Sequence, residues 1–99
     1  MQTHSITLGM NIPNAGSVTN QMWIDFLNVT VLASLEYATI TDSVGIYKGT
    51  VEKSKTISVT TEDPDQVEAL RKVGDAYKNA FNQDAIMYTV TAVPILQFT

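Results

Sequence analysis

The 99-residue chain contains no cysteine, which excludes disulfides, thiol catalysis and cysteine-ligated zinc. It has a single histidine, His4. One histidine near the chain start makes neither a catalytic pair nor a metal cluster, and a mobile terminal side chain is expected there. Basic charge is scarce: six Lys and Arg stand against ten Asp and Glu, a formal net charge of -4. Nucleic-acid binding needs clustered Lys and Arg to neutralise phosphates. Here they are spread out, with a loose group at Lys48, Lys53 and Lys55. No run approaches the ~18 apolar residues of a membrane span. No basic segment leads into an apolar one, as a secretion signal would, so a cytoplasmic protein is expected. A glycine-rich phosphate loop, a GxSxG elbow and a metal-ligand cluster are also lacking. Neither a metal nor a cofactor is expected.

What is present suits one globular domain over residues 1–99. The apolar fraction is 44%, ordinary for a folded chain. A domain of this size is marginal alone, so self-association is expected. The acidic balance would favour a cationic ligand, but a routine solubility device is the commoner meaning of such a charge.

Alternation marks the first strand, Thr3 to Met10, with Ile6 and Leu8 on one face and Ser5 and Thr7 on the other. Pro13, Asn14 and Gly16 make residues 11–17 a loop. Ser17 or Thr19 can cap a helix running to about Ala33, with Trp23, Phe26, Leu27 and Thr30 as its buried stripe. Tyr37 to Lys48 reads as a strand whose Ala38, Ile40, Val44 and Ile46 face inward. Asp42 would then point at the core, which predicts a bulge or a partner. Lys53 to Thr61 returns with Ile57 and Val59 inward. Asp63-Pro64-Asp65-Gln66 starts a second helix: Asp63 caps, Pro64 takes the first position and Gln66 can close the box. Val67, Leu70, Val73 or Gly74, Tyr77 and Phe81 form its stripe, and Asn82 can end it. Glu68, Arg71, Lys72 and Asp75 read as its solvated face. Ala85 to Ala92 is the last main strand, and Ile95 to Phe98 could add a short edge strand beyond Pro94.

This order is β-α-β-β-α-β, the α+β plan of a ferredoxin-like sandwich. If both helices cover one sheet face, the other shows Tyr37, Thr39, Thr41, Ser43, Tyr47, Thr56, Ser58, Thr60, Met87, Thr89 and Thr91. That face carries hydroxyls, aromatics and Met but no charge. Such a surface fits a subunit or ligand contact, or a solvent face rich in good strand formers.

The hairpin from Thr41 to Thr56 gathers a phenol, a carboxylate and several hydroxyls. Thr41-Asp42, Gly45-Ile46-Tyr47-Lys48, Glu52-Lys53-Ser54-Lys55-Thr56 and then Tyr77, Phe81-Asn82-Gln83-Asp84-Ala85-Ile86-Met87 resemble the small phage enzymes that degrade S-adenosylmethionine (SAM). Those enzymes were first called SAM hydrolases and are now understood as SAM lyases. The resemblance spans roughly residues 37 to 90, and the link between Tyr47 and Glu52 is shorter than in the family.

The resemblance implies a PII-like homotrimer with sites between subunits. It also implies cleavage of SAM to 5′-methylthioadenosine and homoserine lactone, which in a phage disarms host restriction and methylation. Glu52 would anchor polar groups of SAM and Tyr47 would orient it, as the catalytic pair. Asp42 would brace the site. Tyr88 is a candidate adenine contact or else a core aromatic, and Asn14 belongs to a candidate lid. Two readings compete with this one: a non-catalytic PII-like module that binds a nucleotide or SAM, and a structural oligomer without a ligand.

Overall fold

The computed structural model describes residues 1–94 and 96–98, with the side chain of Tyr47 outside the described set. Four strands make one antiparallel sheet: β1 (Gln2–Gly9), β4 (Thr39–Tyr47), β5 (Thr50–Thr61) and β6 (Met87–Ala92), in the order β4-β5-β1-β6. A two-residue pair, β2 (Asn11–Ile12) and β3 (Gly16–Ser17), follows β1 as a small separate hairpin. The first helical segment joins α1 (Asn20–Phe26), a π-helical turn (Leu27–Val31) and α2 (Leu32–Ser34), and α3 (Pro64–Ala80) is the second. The main elements therefore run β-α-β-β-α-β, as expected, with both helices on one face.

The sheet is built around β1, which pairs with β5 on one side and β6 on the other. Ile6 and Leu8 of β1 and Ile57 and Val59 of β5 are almost fully buried beneath the helices. Each such side chain contributes about 1.5–3 kcal/mol when removed from water. Leu70, Val73 and Tyr77 of α3 close over them. Phe26 meets Tyr77 edge-on at 5.3 Å, and Tyr77 meets Phe81 at 4.8 Å. These are geometries that aromatic quadrupoles favour.

Both helix starts follow the capping chemistry. Thr19 accepts a hydrogen bond from the Met22 amide, and Asp63 from the Asp65 amide ahead of Pro64. Gln66 does not close a box with Asp63; its carbonyl accepts from the Glu36 amide and ties the first helical segment to α3. Asn82 ends α3 in the left-handed region, at φ 51°. Arg71 is not simply solvated, since its guanidinium lies 4.4 Å from the Tyr88 ring centre.

Five expectations need correction. The first helical stripe shifts phase: the π-turn adds one residue, so Val31 is buried where Thr30 was expected. His4 is not mobile. It sits buried in β1 with Nδ1 bonded to the Tyr88 hydroxyl. Ile40, Val44 and Ile46 share the helix-side face but stay exposed, Ile46 by 77%, because β4 is an edge strand beyond the helices' reach. Ala38 precedes β4 and is exposed. Asp42 does not point at the core but is exposed; of the two outcomes expected there the bulge is absent, since β4 and β5 pair without a break from Thr39↔Ser58 to Tyr47↔Thr50, and the partner is present. Its partner is Lys55, in an ion pair on the uncovered part of the helix side. Leu96, Gln97 and Phe98 form no strand, and Ile95 lies outside the described residues.

Candidate functional site

Pleat and register fix what the open face displays. Thr3, Ser5 and Thr7 of β1 lie beside Thr60, Ser58 and Thr56 of β5 and beside Thr91, Thr89 and Met87 of β6. Hydroxyls bond across the strands: Thr3 with Thr60 at 2.7 Å, Ser5 with Ser58 at 2.8 Å and Ser43 with Ser54 at 2.6 Å. Such cross-strand pairs each add about 0.2–1 kcal/mol. Following the same alternation toward the hairpin, Ser54 is succeeded by Glu52. Among the described residues, Glu52 is the one charged side chain that the four strands place on this face.

Glu52 stands beside two glycines. Its cross-strand neighbour on β4 is Gly45, and its carboxylate lies over Gly9, where a methyl group would overlap Oε1. Glycine at position 9 leaves room for the carboxylate to fold down onto the sheet, whereas a β-carbon at Gly45 would touch nothing. Asn11 Nδ2 donates to Glu52 Oε2 at 3.2 Å. Gln83 Nε2 donates to the Asn11 carbonyl at 2.8 Å and to the Phe81 carbonyl at 3.1 Å. The loop after β1 and the loop after α3 are thereby latched together beside Glu52.

These pieces wall a cavity of about 600 Å³, within the range of small-molecule sites. Thr7, Gly45 and Ser54 contribute from the sheet; Asn11, Ile12 and Pro13 form one wall, and Gln83, Asp84 and Ala85 the other. Two acids and no Lys or Arg are among its lining residues, so its field favours a cation. Tyr77 lies beneath and donates to the Gly9 carbonyl at 2.5 Å. Burial, and secondarily the Glu52 charge, hold its phenol well above the usual tyrosine range. No group of three or more His, Asp or Glu side chains able to hold a metal occurs among the described residues.

Of the residues singled out from sequence, Glu52 lies in this cavity. Tyr47 is placed by its backbone, paired with Thr50 at the hairpin end; its side chain is outside the described set. Asp42 points to the other side of the hairpin with Lys55. Tyr88 belongs to the helix side, where its hydroxyl meets His4 and its ring meets Arg71. Asn14 occupies the exposed tip between β2 and β3 at φ 61°. The structure adds Asn11 and Gly9, and it brings beside Glu52 two residues of the resembling stretch, Gly45 and Gln83, that had no assigned role. The signal for the glycines was the cross-strand register; the two amides sit in loops and carry no periodic signal.

Comparison with solved structures places the fold beside two of a phage SAM lyase. One, in complex with S-methyl-5′-thioadenosine, superposes with a TM-score of 0.65 at 16% identity, covering 91% of this chain and 79% of that one. The other, in the apo state, gives 0.64 at 18% identity, covering 91% and 78%. At such identities the likeness is one of fold. No curated protein sequence matches the chain, and no helix among the described residues is long and apolar enough to cross a membrane. A family model described as a protein of unknown function (DUF3574) matches residues 3–96, and the chain belongs to that family.

Proposed function

We propose that this protein is a SAM lyase, cleaving SAM to 5′-methylthioadenosine and homoserine lactone. The observation that carries the reading is the placement of Glu52: a single carboxylate on an otherwise uncharged sheet face, folded into a cavity without Lys or Arg. The fold shared with the phage lyase supports it. A site of this kind suits a cationic substrate that brings its own nucleophile and leaving group.

In the reaction, an oxygen of the substrate carboxylate forms a bond to the γ-carbon. The carbon–sulfur bond breaks and its electron pair returns to sulfur. The sulfonium becomes a neutral thioether and the carboxylate becomes a lactone, so no proton changes hands. The protein needs no general base. It must hold the substrate folded with the carboxylate oxygen in line behind the carbon–sulfur bond, and such positioning can lower a barrier by about 7–11 kcal/mol. Glu52 anchors the ribose hydroxyls or the ammonium, and Tyr47, at the adjacent hairpin end, orients it. The lining loops exclude water, which favours lactone over homoserine. The working form is a homotrimer joined through the open sheet face. In a phage-infected cell this activity would starve SAM-dependent restriction and methylation.

Incubation with SAM and identification of products tests the proposal. Methylthioadenosine with homoserine lactone is expected, and Glu52→Gln should lower kcat/KM on the order of 100-fold, as a misplaced substrate does. No product at high protein concentration would sink the lyase reading; saturable binding with SAM left intact would replace it by a SAM-binding module.

A further inference from the structure

We propose that Gln83 contacts the ligand, its Oε1 forming with Glu52 Oε1 a two-acceptor clamp above Gly9 for a ligand group that carries two hydrogen-bond donors. The inference deepens the SAM reading by naming a second contact and the chemistry it selects.

The orientation of Gln83 is fixed by its neighbours. Its terminal nitrogen faces two main-chain carbonyls, those of Asn11 and Phe81. An oxygen there would meet two acceptors and no donor, so the amide has one acceptable orientation. The backbone of Gln83 is held too, its amide donating to the Lys78 carbonyl at 3.0 Å. Oε1 therefore turns away from the latch and toward Gly9, 3.5 Å from where a β-carbon there would stand.

Glu52 is fixed in a matching way. Oε2 takes the Asn11 side-chain amide, and Oε1 lies down over Gly9. Two oxygens thus converge above the same glycine, and both residues line the same cavity. Among the described residues, no donor reaches either oxygen. Facing acceptors without donors are satisfied by a group with at least two O–H or N–H bonds. A vicinal diol or a primary ammonium fits this rule; a carboxylate or phosphodiester, having only acceptors at neutral pH, is rejected. On SAM the clamp would hold the ribose edge or the ammonium and leave the carboxylate free to attack.

A cycle between residue and ligand tests the clamp by calorimetric titration. The diol arm compares 5′-methylthioadenosine with its 2′-deoxy and 3′-deoxy forms. The ammonium arm compares the aza analogue of SAM, in which nitrogen replaces sulfur so that nothing is cleaved, with the desamino form of that analogue. In the unaltered protein, losing a clamped donor should weaken binding about ten- to hundredfold, the usual worth of a hydrogen bond to a charged acceptor. In Gln83→Met, of similar length but without the carbonyl, that penalty should shrink several-fold in one of the two arms. Glu52→Gln repeats the cycle from the other jaw and leaves the latch intact. Equal penalties in the unaltered protein and in both variants overturn the clamp, as does the absence of saturable binding. These couplings with SAM left intact in a separate product assay overturn the lyase reading alone; cleavage of SAM without the couplings overturns the clamp alone.

Discussion

At Gly9 a hydrogen atom stands where any other residue would put a carbon, and the Glu52 carboxylate occupies the space so left. The backbone there is ordinary strand, so alanine brings no conformational strain. The methyl would meet only the far end of a flexible side chain. Gly9→Ala should therefore change stability by less than about 1 kcal/mol, while lifting Glu52 off the sheet and cutting SAM turnover at least tenfold. Thermal melts and product assays on the same preparation check both halves. Glu52 was legible in the sequence because a carboxylate among hydroxyls and a phenol stands out. The latch between Asn11 and Gln83 was not: Gln83 stood in the resembling stretch, but its bond joins positions 72 apart, and a loop amide has no periodicity to betray its partner. Asp42 misled because alternation assigns a face but does not say whether a helix covers it.

Among the elements, α3 was the most readable. Asp63-Pro64 and Asn82 punctuate its ends, and its stripe is regular. The first helical segment was readable in extent but not in phase, since a π-turn leaves no mark in residue spacing. β4 was readable as a strand; its position at the edge depends on pairing with β5 alone, which the chain does not spell out locally. The contact between α3 and the end of β1 has a pH signature. Tyr77, fully buried, donates from the helix to the Gly9 carbonyl, and its folded pKa lies above the ordinary value of 10.0. Below pH 10 its contribution to stability is whole. Above that, the unfolded chain loses the phenolic proton while the folded one keeps it, and stability falls by up to about 1.4 kcal/mol per pH unit. Denaturant titrations at successive alkaline pH values should show this slope, and Tyr77→Phe should remove it. An unchanged slope in that variant would mean that other groups set the alkaline limit.

At the scale of the whole molecule, the sequence foretold an uncharged sheet face, and register delivers it as a surface of hydroxyls with one acid at its end. Proposed as the trimer contact, this face makes a direct prediction: light scattering should give three times the protomer mass. A charge at its centre, as in Ser58→Lys, should return the protein to monomers and lower turnover with it. A monomeric unaltered protein at micromolar concentration would contradict the contact. The cross-strand hydroxyl bonds bear on this face in another way. In each pair either oxygen can be the donor, so no pair has a built-in polarity. An arriving surface need not match a fixed pattern of donors and acceptors. The donor and acceptor can exchange within each pair without any heavy atom moving, so the face can adapt to what it meets and still remain a rigid plane.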